Sequence, residues 1–147
     1  AGHYDVCELL LDHRARVEEA NFTGLRPLHW VAAAGHVEVC DMLLDRKAII
    51  HAASGDTREA IHHAAANGHV KVLQLLCKRG AKPDAEAGGS GSGGQRPLHF
   101  ACLAGHASVA AALLDLGALG SLDDFGHGGP LRRYQGSKVE EVVRQAE

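Results

Sequence analysis

Eleven histidines and four cysteines are the side chains of this sequence best suited to chemistry, because imidazoles and thiolates ligate metals and act as bases or nucleophiles. The cysteines are far apart and form neither a CxxC pair nor a zinc-type spacing: they are Cys7, Cys40, Cys77 and Cys102. Each lies among apolar residues in a helix-like pattern. We therefore expect small buried hydrophobic side chains in a reducing compartment, cytoplasmic or nuclear.

The histidines divide into two groups. Seven stand in recurring motifs, namely His3, His29, His36, His62, His69, His99 and His106. The other four, His13, His51, His63 and His127, form no i, i+4 pair and have no carboxylate at a recognisable metal spacing. The glycine-rich stretches at 89–94 and 126–129 follow no predicted strand, and no G-x-S-x-G turn occurs. We expect no catalytic residue, no cofactor, no metal site and no enzyme activity in this chain.

Two motifs recur along the chain in one register. Gly-His occurs at Gly2, Gly35, Gly68 and Gly105, at intervals of 33, 33 and 37 residues. A second motif recurs at intervals of 33, 37 and 33, as Pro27-Leu28-His29, Ala60-Ile61-His62, Pro97-Leu98-His99 and Pro130-Leu131-Arg132. Internal repetition of this length is typical of solenoids that stack one structural unit on the next.

The apolar residues predict two helices in each unit. Val39, Cys40, Leu43 and Leu44 lie on one helical face, and the same spacing recurs at 72–77 and 109–114. Aromatic residues make up only 4% of a chain that is 46% apolar, so the core must be built from Ala, Leu and Val. Each unit therefore reads as a short helix, a turn at Gly-His, a second helix and a loop.

This pattern resembles the ankyrin repeat, whose unit of 33 residues carries a T-P-L-H-x-A signature. The resemblance implies an all-α solenoid with hairpin-like finger loops. Its units are a partial repeat at 1–20, repeats at 21–53, 54–90 and 91–123, and a degenerate C-terminal capping repeat at 124–147. Because the first unit begins at its Gly-His, we expect further sequence upstream.

Some residues depart from the family pattern. The Thr before Pro-Leu-His is replaced by Arg26, Glu59 and Arg96, which removes a helix-capping hydroxyl worth about 1 kcal/mol. Lys47 stands where Gly usually ends the second helix, at a cost of about 1 kcal/mol if the left-handed backbone is kept. Residues 88–94 read GGSGSGG, which predicts either a lengthened flexible finger or an engineered linker.

The resemblance also implies a binding surface, formed by the concave face and the finger loops. Carried over position by position, it selects ten residues for contact with a partner protein or peptide: Phe22, Thr23, Leu25, Ala33, Asp56, Arg58, Asn67, Gln95, Leu103 and Phe125. The apolar members predict a contact patch, with packing between neighbouring fingers as the alternative. Trp30 aligns with a semi-buried family position, and we expect it in the core between repeats, with a binding anchor as the alternative.

The predicted function is a protein-interaction module within a larger polypeptide. The alternatives are a regulatory or substrate-docking segment of an enzyme, and a structural stack that self-associates through its N-terminal edge, although we expect a monomer. The net charge of −3 gives no electrostatic footprint for nucleic acid or an anionic membrane. No apolar run is long enough to span a membrane.

Overall fold

The computed structural model describes residues 4–13, 15–88 and 94–118. Within these ranges the chain forms helices and turns without a β-strand, as the all-α prediction requires. The helices are α1 (Tyr4–Asp12), α2 (Pro27–Ala34), α3 (Val37–Asp45), α4 (Ala60–Ala66), α5 (Val70–Lys78), α6 (Pro97–Ala104) and α7 (Ala107–Asp115). The predicted unit 124–147, with Phe125, lies outside the described residues, and so do residues 89–93 of the Gly/Ser tract.

The helices form two rows. The first helices of the units, α2, α4 and α6, pack side by side as an inner row, and α1, α3, α5 and α7 form an outer row. Within each unit the two helices also pack on each other. Ion pairs join the outer helices: Arg46 lies 2.6 Å from Asp12, and Arg79 pairs with Asp41 and Asp45. Exposed pairs of this kind contribute little to stability.

The core repeats with the units. The inner helices contribute one column of equivalent buried residues: Leu28, Ile61 and Leu98. The outer helices contribute two more, one of Val39, Val72 and Val109 and one of Leu43, Leu76 and Leu113. Alanines such as Ala32 and Ala65 are fully buried on the inner helices. Their small side chains let adjacent helices approach closely, so the units cover one another's apolar faces.

The inner helices begin without a capping side chain. Arg26, Glu59 and Arg96 hold the extended cap conformation but make no side-chain cap bond. Instead, the side chain of the motif histidine, three residues into the unit's first helix, accepts a hydrogen bond from the backbone N–H of the cap residue. The backbone N–H of Arg26 donates to Nδ1 of His29 at 2.9 Å, and the same bond recurs at Glu59 and Arg96. One backbone donor at each helix start is thereby satisfied.

The motif histidine also reaches the loop that leads into the next unit. Nε2 of His29 lies 2.7 Å from the carbonyl oxygen of Ala52, and Nε2 of His62 lies 2.9 Å from that of Ala85. Because Nδ1 accepts a hydrogen bond, a neutral ring must carry its proton on Nε2, which donates to the carbonyl. Each ring is buried and ties an inner helix to the chain 23 residues later.

The Gly-His dipeptides join consecutive units. Nε2 of His69 lies 2.9 Å from the carbonyl oxygen of Ala33 in the preceding unit. A Cβ atom on Gly35 would come within 2.6 Å of the His69 ring. Gly35 also has a φ of 82°, which disfavours other residues. Glycine is therefore required both by the turn and by the histidine of the next unit.

Trp30 does not belong to the core, and that prediction was wrong. Its side chain is 58% exposed. The buried stripe of α2 contains Leu28 and Ala32, and a residue two positions along a helix from the first of these points to another face. The equivalent Phe100 is buried, because the guanidinium of Arg58 lies 4.5 Å above its ring and His62 packs against its edge.

Lys47 keeps the left-handed backbone for which the family usually has Gly, with a φ of 69°. At the equivalent position Gly80 has a φ of 107°, and no atom lies within 4 Å of the place where its Cβ would be.

We expect Lys47→Gly to raise the free energy of unfolding by up to about 1 kcal/mol, as measured by urea denaturation. Lys47→Ala should give no such gain, since alanine has the same backbone cost. Equal stability of both variants would show that the backbone is not strained.

The buried histidines make stability depend on pH. Burial lowers the pKa of His29 and of His62 below 6.5. The hydrogen bonds to the carbonyl oxygens of Ala52 and Ala85 act in the opposite direction, because they favour the charged rings, but burial has the larger effect. As pH falls through 6.5, the unfolded chain binds protons that the folded chain excludes, so stability is present above this pH and is lost below it.

We expect the urea midpoint to fall between about pH 7.5 and about pH 5.5, with each ring contributing at most about 1.4 kcal/mol per pH unit. His51→Gln removes an exposed ring and should leave this decrease in place. A midpoint that stays constant or rises on acidification would contradict the burial of neutral rings.

Candidate functional site

Four of the predicted contact residues line one groove on the finger side of the inner helices. Phe22, Thr23, Leu25 and Asp56 surround it, together with Gly24, Gly55 and His63. The groove has a volume of about 560 Å³. We call this set of seven residues the finger groove. It lies between the fingers of the units 21–53 and 54–90, against the inner helix α4.

The first finger is shaped by Asn21. Its Oδ1 accepts hydrogen bonds from the backbone N–H groups of Thr23 at 3.0 Å and Leu25 at 2.9 Å, which is the Asx-turn arrangement. The backbone N–H of Asn21 in turn donates to the carbonyl of Leu25. These bonds leave the side chain of Phe22 at the tip, where it is 100% exposed.

The second finger repeats this turn and is joined to the first. The N–H of Ser54 donates to the carbonyl of Arg58, and the N–H of Gly55 donates to the carbonyl of Thr23 at 3.0 Å. The fingers are turns in the described residues, where the predicted hairpin character is reduced to one antiparallel bridge between Ala87 and Gln95. The bond between fingers sets the width of the finger groove.

Asp56 carries the charge of the groove. Its carboxylate accepts from the Ser54 hydroxyl, and its Oδ2 lies 3.2 Å from Nε of Arg58. Partial burial by itself would raise the pKa of Asp56, but the Ser54 hydrogen bond and the Arg58 charge outweigh it, so the pKa is lowered. The carboxylate is therefore ionised at neutral pH.

Besides two glycines, His63 is the groove residue that is absent from the ten predicted contacts. Burial, and to a smaller extent the neighbouring His29, lowers its pKa to about 4; the two ring centroids lie 5.5 Å apart. The ring is therefore uncharged at neutral pH. His63, Trp30 and Phe100 each directly follow the motif histidine of a unit, and this shared register was the available signal that they face the finger side together.

Ser54, Asp56 and His63 are neighbours but do not form a hydrolytic triad. The Ser54 hydroxyl has one proton, and its acceptors are Asp56 and the carbonyl of Arg58. His63 Nε2 lies 3.4 Å from the Ser54 oxygen, and a ring with a pKa of about 4 is a weak base. Nothing in this arrangement activates the hydroxyl as a nucleophile.

The other predicted contact residues lie outside the finger groove. Arg58 is half-buried against Phe100, and Ala33 is half-buried with its carbonyl bonded to His69. Asn67 is exposed, and its side chain donates to the carbonyl of His63. Two more are exposed, namely Gln95 and Leu103, the latter by 43%.

The part of the chain that the structure describes offers neither a metal site nor a membrane span. In the ranges 4–13, 15–88 and 94–118 no group of three or more His, Cys, Asp or Glu side chains is placed to hold a metal ion. Of the helices α1–α7, none is long and apolar enough to cross a membrane.

Comparison with protein families agrees with the architecture. The family model described as ankyrin repeats (many copies) matches residues 1–44 and 28–77, and the model described as ankyrin repeat matches residues 93–124. No curated protein gives a significant match to the sequence. Ankyrin repeats are in general protein–protein interaction modules and are typically non-catalytic. Together the two models cover well over half of the sequence, and the chain belongs to the ankyrin repeat family.

Proposed function

We propose that this chain is an interaction module that binds an extended segment of a partner protein in the finger groove. The observation that carries the proposal is the position of Phe22, whose side chain is fully exposed at a finger tip that Asn21 holds in place. An exposed aromatic side chain beside a preformed groove is typical of a contact anchor. Leu25 extends the same apolar wall into the groove.

The groove suits a peptide better than a small molecule. It is an open channel between loops, lined by side chains from two units and by finger backbone, whereas small-molecule sites are usually deep and enclosed. Trp30 and Leu103 are further exposed apolar side chains on the inner helices α2 and α6. An extended segment can follow the groove between the two fingers, which a compact ligand cannot. If the chain is a docking segment of an enzyme, it uses the same surface.

A reducing compartment, cytoplasmic or nuclear, is the proposed location. Cys7, Cys40, Cys77 and Cys102 are all free thiols. Burial raises the pKa of Cys40 to about 12, and the pKa of both Cys77 and Cys102 to about 11. Thiols that stay protonated and buried are small hydrophobic core residues, and their packing needs no disulfide.

Phe22→Glu combined with Leu25→Glu tests the proposed site. We expect the main protein captured by the wild-type chain in an affinity pull-down to bind at least about 30-fold more weakly, because two apolar anchors would be replaced by charges. The circular dichroism spectrum should not change, since neither side chain belongs to the buried core.

The matched control is Ile49→Glu combined with Leu116→Glu, which alters two exposed apolar residues outside the groove. This variant should bind the partner as the wild type does. If the groove variant also retains full binding, or if the control loses as much, the finger groove is not the site.

A second candidate function is self-association through α1. Val6 and Leu10 are 51% and 55% exposed, although the equivalent Val39 and Leu43 are each only 3% exposed. The opposing observation is charge, because Asp5, Glu8 and Asp12 lie on the same helix without a basic residue and would repel a second copy.

Sedimentation velocity tests this candidate. A concentration-dependent dimer that Leu10→Glu abolishes would support association through α1. A single monomeric species at high concentration would exclude it and would leave the finger groove as the proposed contact surface.

A further inference from the structure

The charge of the finger groove indicates what kind of side chain it can hold. Asp56 is the one acidic residue among its seven lining residues, and no lysine or arginine lines it. His63 is uncharged at neutral pH. At the groove edge Arg58 pairs with Asp56, its Nε 3.2 Å from Oδ2, while its guanidinium lies over the Phe100 ring. Asp56 is therefore the one charged group among the lining residues at neutral pH, and the cation that pairs with it is not part of the lining.

The carboxylate of Asp56 can still accept a further hydrogen bond. It accepts from the Ser54 hydroxyl and from the Arg58 backbone, and its Oδ2 forms an ion pair with Nε of Arg58 at 3.2 Å. An ionised carboxylate offers about four acceptor positions, so about one remains for an occupant. The side chain is half exposed, and the second finger holds it in a fixed orientation. A cationic group could therefore pair with the Asp56 carboxylate without a rearrangement of the loop.

The apolar wall opposite suits the stem of a long basic side chain. Phe22 presents a ring that is fully exposed, and Leu25 adds an aliphatic surface. Lysine and arginine bury their methylene stems on such surfaces while their heads remain polar. A cation over an aromatic face gains further attraction.

We propose that the finger groove binds a lysine or arginine side chain from an extended partner segment, with its head at Asp56 and its stem against Phe22 and Leu25. The inference rests on the proposed function, since it names the chemistry of the partner at the same site. An acidic side chain would be repelled by the Asp56 carboxylate, whereas a neutral apolar one would cover this half-exposed carboxylate and leave its remaining acceptor position unused.

The test begins with a library of random peptides selected on the immobilised wild-type chain. The affinities of the selected peptides are then measured by fluorescence anisotropy. We expect the peptides to share a lysine or arginine next to an apolar residue. Replacing that basic residue by Gln should weaken binding at least about tenfold, and so should Asp56→Asn. Combining the two changes should weaken binding no more than either change alone, as is expected when the two groups contact each other directly.

Two further variants separate the causes of any loss. Asp84→Asn is the matched control, because Asp84 pairs with Arg96 as Asp56 pairs with Arg58 but lies outside the groove; it should bind as the wild type does. Phe22→Ala changes a fully exposed side chain, so the fold should be intact, and it should also weaken binding.

The outcomes distinguish the two proposals. Two outcomes would overturn the proposal that the groove binds a basic side chain but leave the proposed function in place. In the first, peptide binding depends on Phe22 but not on Asp56. In the second, an acidic residue of the peptide couples to Arg58. Equal losses from Asp56→Asn and Asp84→Asn would also overturn it, since the effect would not be local. Peptides that depend on neither Phe22 nor Asp56 would overturn both proposals.

Discussion

In each of the inner helices α2 and α4, a buried imidazole connects the helix to the loop that precedes the next unit. His29 and His62 accept a hydrogen bond at the start of their own helix and lie within hydrogen-bond distance of the carbonyls of Ala52 and Ala85. A neutral ring with its proton on Nε2 satisfies both contacts, and a charged ring cannot accept the first. Because these are polar groups in an apolar core, the loss of either contact would leave a buried group unpaired. The positions of the two loops that follow Ala52 and Ala85 depend on this connection.

The finger groove follows from that constraint. Ala52 immediately precedes the finger that begins near Ser54, so fixing its carbonyl fixes the origin of the loop. Hydrogen bonds within each turn and from Gly55 to Thr23 then set the spacing of the tips. The binding surface is therefore carried by the same contacts that stabilise the stack. The side chains at the tips make few internal contacts, and they can differ between units without loss of the fold.

Much of this architecture could be predicted from spacing, because the repeated positions have repeated physical roles. The buried columns at Leu28 and Leu43, the left-handed glycine at Gly35 and the strained Lys47 all follow from the register of one unit. The capping role of the motif histidine was less visible, since the missing threonine suggested only a loss. The unit boundaries remain predictions.

The site was predictable in its position but not in its chemistry. Register placed Phe22, Leu25 and Asp56 on the finger side, and they line one groove. It did not show that Trp30 is exposed while Phe100 is buried, because that difference depends on whether a neighbouring arginine covers the ring. Nor could it show that the His63 ring lies 5.5 Å from the His29 ring of the preceding unit. Such contacts depend on the distance between elements, which a single sequence does not encode directly.

The protonation state of the buried rings tests the central claim most directly. Long-range proton–nitrogen correlation spectra of the imidazoles distinguish the neutral tautomers from the charged ring. At about pH 6.5, the ordinary histidine pKa, we predict that His29 and His62 are mostly neutral with the proton on Nε2, because burial lowers their pKa. A charged ring at this pH, or a proton on Nδ1, would contradict the hydrogen bonds on which the stacking of the units is argued to depend.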